Sequence, residues 1–351
     1  MKTRAAILVE LNQPLVVDEI DLPDALAVGQ VLVRVQTSGI CGSQLGEIDG
    51  VKGPDRYLPH LLGHEGFAVV LDVGANVTRV KAGDHVVMHW RKGAGIDAAP
   101  PRYRWGAKAL NAGYVTTFND HAVVSENRLT RVPPSTSPDL AALLGCALTT
   151  GFGVVSYDAA LHIGESLVVF GAGSIGQSVV IGARLAGAHP IVAVDTVQRK
   201  LELARRFGAT HALDGAGDVA SALHSIFGAD GADVAVETTG RSQVIENAYA
   251  ATSNQGGRTV LVGVPRADDP ARLPTLRLHL GQRLIGSHGG NAEPARDIPR
   301  LLALSSTGAF DALPMVDRRC RLEDINAAIG DLRAGLATKC MIDLGAPGPA
   351  P

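Results

Sequence analysis

The sequence predicts an α/β protein of two domains, a mostly-β domain followed by a doubly wound parallel sheet. Three observations carry this. The chain has 351 residues, enough for roughly two domains at about 150 residues each. Up to about residue 145 it reads as short runs rich in Val, Ile and Leu between Gly, Pro and Asp. From Ser166 onward, continuous apolar runs alternate with helical stretches, the pattern of a parallel sheet covered on both faces.

The opening stretch, MKTRAAILVELNQPLVV, sets Lys2 and Arg4 before an apolar patch that ends at Glu10. That is the pattern of a first strand, not of a leader peptide. Residues 5–10, 30–38, 67–73 and 85–90 read as strands. The segment 91–113 has no period and reads as one long loop, uncommon unless functional or mobile. Beyond it SLVVF, PIVAVD, ADVAVETTG, GRTVLVGVP and QRLIGSHGG read as successive buried strands. After about 290 come two helical segments, the strand KCMIDL, and a Gly/Pro/Ala tail expected to fray.

Apolar residues make up 46% and charged residues 19%, so a core is affordable and a disordered polymer is excluded. Net charge is −3, with no run of like charges, which argues against nucleic acid or an anionic membrane as partner. No apolar stretch reaches the roughly 18 residues of a membrane span. Four cysteines, Cys41, Cys146, Cys320 and Cys340, are too few and too scattered for a disulfide scaffold. A soluble, cytoplasmic protein is expected.

Gly171, Gly173 and Gly176 form G-x-G-x-x-G around Ser174 and Ile175, with an apolar strand before and a helix after. The first glycine allows a tight turn, the second lets backbone approach a pyrophosphate, and the third lets helix and strand pack closely. The pyrophosphate would then rest on a helix N-terminus. Asp195 ends the next strand 19 positions after Gly176, where a carboxylate accepts from ribose hydroxyls and repels a 2′-phosphate. NAD is therefore expected over NADP, although Arg199 and Lys200 follow closely.

Cys41 in SGICGSQ, His64 in LLGHEG and Cys146 in LLGCALTTG each have a bland reading as a small core residue or a satisfied polar group. Together they are the Cys₂His set of a catalytic zinc with an open fourth position. Their wide separation distinguishes them from a compact zinc finger.

With these residues in place, the chain resembles the zinc-dependent medium-chain dehydrogenases of the alcohol/polyol dehydrogenase family. The likeness runs from G-H-E through G-C-A-L-T-T-G and G-A-G-S-I-G to V-G-V-P and G-S-H-G-G. It implies a GroES-like catalytic domain, 1–146 completed by 291–351, around a Rossmann domain at 147–290. It also implies one catalytic zinc per chain on Cys41, His64 and Cys146, with Glu65 beside the metal and able to bind it transiently. Ser43 would take the substrate proton. Thr150 and Ile175 would pack on nicotinamide, and Val262 and His288 would approach its carboxamide. Lys200 would lie near the adenine ribose and Lys339 against the pyrophosphate. A homodimer or homotetramer is implied as well.

The departures are informative. Gln44 stands where the family usually has an acid that orients the zinc-bound histidine; its carbonyl is expected on the imidazole N–H. Gly46 stands where many members end a proton relay in histidine, leaving ribose, water or Glu47 as exits. No cysteine lies between 41 and 146, so the four-cysteine structural zinc lobe is absent. His89 and Trp90, ending a strand that lines the family's substrate pocket, are candidate substrate contacts together with Glu47. The other histidines, His60 among them, read as surface or structural. The basic loop with Arg91, Lys92, Arg102, Arg104 and Lys108 reads as a phosphate or sugar site, or as a solvated loop at a subunit contact.

The chemistry implied is hydride transfer between NAD(H) and an alcohol/carbonyl pair, with a secondary alcohol, polyol or sugar-like substrate placed first. A primary alcohol/aldehyde pair is the alternative. A zinc-independent reductase and a non-catalytic NAD- and zinc-binding protein are the rival readings.

Overall fold

Val31, Val33 and Val35 are fully buried while Arg34 between them is exposed, the two-residue period of a strand with one face in a core. In the computed structural model, which describes residues 1–344, this strand, Gln30–Ile40, is the spine of the first of two compact units. That unit comprises Met1–Cys146 and the chain from Glu293 onward; the second is Ala147–Ala292. The Gly/Pro/Ala tail lies outside the described residues.

In the first unit, Gln30–Ile40 pairs antiparallel with Glu65–Val73, His121–Ser125 and Lys339–Asp343. The last pairing sets Cys340 opposite Ile40. The sheet continues through His85–His89 and Leu129–Arg131 on one side and through Val316–Arg321 on the other. A smaller sheet holds His60–Leu61, Lys2–Leu8, Val16–Asp21, Tyr103–Trp105 and Lys108–Leu110.

Two sequence expectations change here. Segment 91–113 is not one irregular loop: Tyr103–Trp105 and Lys108–Leu110 form a hairpin. The buried Tyr103 hydroxyl accepts from the Val123 N–H at 2.8 Å. Ile96 is pinned by its N–H to the buried Glu126 carboxylate, 2.7 Å away. Strands of three residues are too short to announce a period. The strand Val316–Arg321 was not anticipated because it is largely exposed, with arginines at 318, 319 and 321, and buries mainly Cys320.

In the second unit all neighbouring strands are parallel, in the order His211–Asp214, Ile191–Asp195, Leu167–Phe170, Val234–Glu237, Arg258–Leu261 and Arg283–Gly286. In chain order this is 3-2-1-4-5-6, the Rossmann arrangement, whose ligands bind outside the carboxyl ends of the strands. Leu167, Val168 and Val169 are fully buried, as a strand covered on both faces must be.

Candidate metal and dinucleotide sites

Three backbone segments of the first unit converge on one point. Cys41 follows the spine strand and caps the helix Gly42–Ile48. His64 precedes the strand Glu65–Val73, and Cys146 follows the helix Pro138–Leu144. Gly145 permits the third approach, since a Cβ there would lie 2.4 Å from the Met88 carbonyl and 3.0 Å from Glu65 Cα. The two sulfurs and one imidazole nitrogen lie within 4.8 Å of one another, a spacing compatible with bonds of about 2.0–2.3 Å to a common zinc.

The donor set fits that ion. His64 Nε2 is buried without a hydrogen-bond partner, an arrangement that is costly unless something accepts its lone pair. Both cysteines are buried. The hydrogen bond with Cys146 and the nearby His64 hold the Cys41 thiol well below its ordinary range, against burial. Cys146 is pushed up by its bond to Cys41 and by burial. Two thiols this close share a proton until a cation displaces it.

Gln44 touches the cluster at both a ligand's backbone and a ligand's ring. Its carbonyl accepts from the Cys41 N–H at 3.0 Å, and its amide nitrogen lies against His64 Nδ1. The physical reason is local: the first turn of the helix leaves the Cys41 N–H in need of an acceptor. Because this one amide fixes both a ligand's backbone and a ligand's ring, Gln44→Ala is expected to weaken zinc affinity about 10–100-fold. Competition with a chromophoric chelator measures this, and zinc held as tightly as in the wild type would count against it.

Glu65 and Lys339 are both fully buried and form an ion pair. Burial disfavours the Lys339 cation, yet Glu65 and Cys41 raise its proton affinity above the usual value. This corrects the expectation that Lys339 meets a pyrophosphate: its ammonium is committed to Glu65 inside the first unit. Sequence reasoning missed the pair because 274 positions separate its members. The second Glu65 oxygen has no partner, which leaves it available beside the cysteines.

His89 is also corrected. It is fully buried, with Nδ1 2.8 Å from the Arg91 carbonyl and Nε2 2.9 Å from Thr130 Oγ1, so it has no atom free for a substrate. Burial pulls its pKa from 6.5 down to about 4. The unfolded chain therefore binds more protons than the native one in that window, and stability is lost as pH falls through it. The cost is about 3 kcal/mol. A His89→Gln protein should show a smaller fall in Tm between pH 7 and pH 4.5; equal falls would refute this account.

Trp90, half-buried, presents its ring edge-on to His64 with centroids 6.4 Å apart. Ser43 and Glu47 are exposed on the helix Gly42–Ile48. Much of the basic loop is internally matched. Lys92 pairs with Asp97 at 2.5 Å, Lys108 lies 5.5 Å over the Trp105 ring, and the Trp105 indole donates to Asp18.

In the second unit, Gly171 has φ +92°, and a Cβ on Gly176 would fall 1.9 Å from the Gly171 carbonyl. Gly173 caps the helix Ser174–Leu185 and faces open space, the position an anion needs. Asp195 accepts from the Ala172 N–H at 2.7 Å and the Val197 N–H at 2.9 Å, so it also ties down the glycine loop. Gly171, Asp195, Val262 and His288 all follow or end carboxyl ends of the parallel strands. Ser174 and Ile175 open the helix. Lys200, half-buried, accepts at its carbonyl from Gln177, and Thr150 is buried on the helix Ala147–Gly153.

Comparison with known proteins places the chain in a family. Residues 27–134 match the alcohol dehydrogenase GroES-like domain and residues 174–307 the zinc-binding dehydrogenase family. An alcohol dehydrogenase class-3 of Cereibacter sphaeroides is 31% identical, over 97% of this chain and 100% of its own. An S-(hydroxymethyl)glutathione dehydrogenase of Synechocystis is 30% identical with the same coverage. Among solved structures, an alcohol dehydrogenase zinc-binding domain protein from Burkholderia ambifaria superposes with TM-score 0.89 at 32% identity, covering 99% and 100% of the two chains. A benzyl alcohol dehydrogenase from Acinetobacter calcoaceticus gives 0.88 at 26%, covering 98% and 99%.

Proposed function

This chain belongs to the zinc-dependent medium-chain alcohol dehydrogenases, and from that premise we propose that it oxidises primary alcohols with an apolar, aromatic-sized substituent and reduces the matching aldehydes. Its cofactors are zinc and NAD, and its partner is a small molecule. Zinc, when bound by Cys41, His64 and Cys146, supplies Lewis acidity to the alcohol or carbonyl oxygen. Ser43 holds the substrate proton, Gly173 and the helix behind it hold the pyrophosphate, and Asp195 takes the ribose hydroxyls.

The observation that carries the substrate reading is Trp90, whose ring centroid lies 6.4 Å from that of a metal-binding imidazole. An oxygen held by the metal leaves its substituent to pack on that ring. The polyol reading leaned on His89, Glu47 and the basic loop; of these His89 is buried and Lys92 is paired with Asp97, while Glu47 stays exposed. The likeness to a benzyl alcohol dehydrogenase points the same way. The test is NADH formation from benzyl alcohol, simple alcohols, free polyols, cyclitols, and phosphorylated or nucleotide-linked sugars. Benzyl alcohol is expected to give the highest kcat/KM; activity confined to the polyols and sugars would overturn the proposal.

A homodimer through the edge strand Arg283–Gly286 is part of the same reading. Leu284 on that strand and the neighbouring Leu276, Leu278 and Leu280 are exposed at 36%, 67%, 38% and 62%, and an uncovered apolar sheet edge invites pairing. Light scattering at micromolar concentration tests it, a monomer being the adverse result. Among the described residues no single helix is long and apolar enough to cross a membrane, and we place the protein in the cytoplasm.

A further inference from the structure

The helix Gly42–Ile48 puts Ser43 and Glu47 four residues apart, neighbours on one face, and both are exposed. Between them stands Gly46, with no side chain to take a proton. Glu47 Oε1 lies 4.0 Å from Nε2 of His60, a histidine only 6% exposed. That imidazole is fixed at both nitrogens: Nδ1 is 2.9 Å from the Leu61 carbonyl and Nε2 is 2.9 Å from Asp55. The Glu47 side chain remains 45% exposed, so a proton placed there can reach water.

The charged groups facing Glu47 are His60, His64, Lys52 and Asp55. Partial burial raises the Glu47 pKa, the three cationic or ionisable bases oppose it, and Asp55 reinforces it; the net shift is upward. A carboxylate with raised proton affinity is a better acceptor for a serine proton than an ordinary one.

We propose that Glu47 is the proton acceptor behind Ser43, and that His60, anchored by Asp55 and Leu61, is its positioning residue. The inference rests on the alcohol-oxidation reading. As the alcohol O–H bond breaks, its proton passes to Ser43 Oγ. The Ser43 hydroxyl proton moves through one water to a Glu47 carboxylate oxygen. The carboxylic acid so formed then gives its proton to solvent. The carbon's hydride goes separately to NAD⁺, so electrons and protons balance without another reagent.

The experiment is the pH dependence of kcat for benzyl alcohol oxidation in wild type, Glu47→Gln and His60→Gln, each at low and high HEPES. The Glu47→Gln variant changes an exposed side chain and should fold, which circular dichroism checks. It is expected to lose about 10²-fold in kcat at pH 7, to lose the acid limb of the profile, and to recover rate as HEPES rises. His60→Gln is expected to keep the limb but move it, because the contact that positions Glu47 is gone, with KM for NAD unchanged. A Glu47→Gln profile superposing on the wild type, with no buffer dependence, would overturn the proposal. A wild-type protein producing no NADH from any alcohol of the panel would remove the functional reading and this path with it.

Discussion

Replacing Cys146 by alanine is expected to strip the protein of zinc and to lower kcat by more than about a hundredfold, beyond what the loss of an outer partner costs. The reasoning starts from charge. Cys41 and Cys146 provide two thiolates that neutralise a divalent ion, and His64 provides the third ligand through an Nε2 that has no other partner. Removing one thiolate leaves a two-ligand site with an uncompensated charge in a buried environment, where unpaired charge is most costly. Metal analysis of the purified variant and NADH formation are the two readouts. The fold should survive, because alanine at a 5% exposed position leaves only a small cavity. Full zinc content together with wild-type kcat would show that the cluster is packing and not a metal centre.

Substituting Asp195 by alanine is expected to raise KM for NAD about 10–100-fold and to move the NADP/NAD ratio of kcat/KM upward by a similar factor. A charge-assisted hydrogen bond to a ribose hydroxyl is worth about 1.5–3 kcal/mol, which gives a factor of that size. The carboxylate has a second task here, accepting from Ala172 and Val197. Its loss therefore loosens the glycine loop for both cofactors and limits how far absolute NADP activity can rise. Arg199, exposed in the first turn of the following helix, is placed to meet a 2′-phosphate once the carboxylate is gone. A ratio unchanged within twofold would remove Asp195 from cofactor choice.

The second unit was legible in the sequence because its signals are local. Strand, glycine turn and helix follow one another within twenty residues, and Asp195 marks the end of the next strand. The glycine requirements are visible in the backbone itself, at Gly171 with its positive φ and at Gly176 with a carbonyl where a Cβ would be. The first unit was legible only in part. Its long strands, such as Gln30–Ile40 and Glu65–Val73, carry enough alternation to be read. The hairpin in 91–113 and the strand Val316–Arg321 do not, because short or one-sidedly exposed strands bury too few residues to leave a period.

By itself the sequence determined the parallel α/β pattern of the second unit, the dinucleotide loop and the three residue types that can hold zinc, because each rests on residue chemistry or on local spacing. Only the tertiary structure decided the surroundings of that metal site. Pairing of Lys339–Asp343 against Gln30–Ile40 brings the Lys339 ammonium to Glu65. The first turn after Cys41 sets the Gln44 amide between the Cys41 N–H and the His64 ring. The depth of the His85–His89 strand buries His89. Those outcomes depend on sheet register and on which buried polar group finds a partner, and such contacts join residues tens to hundreds of positions apart, where no local pattern records them.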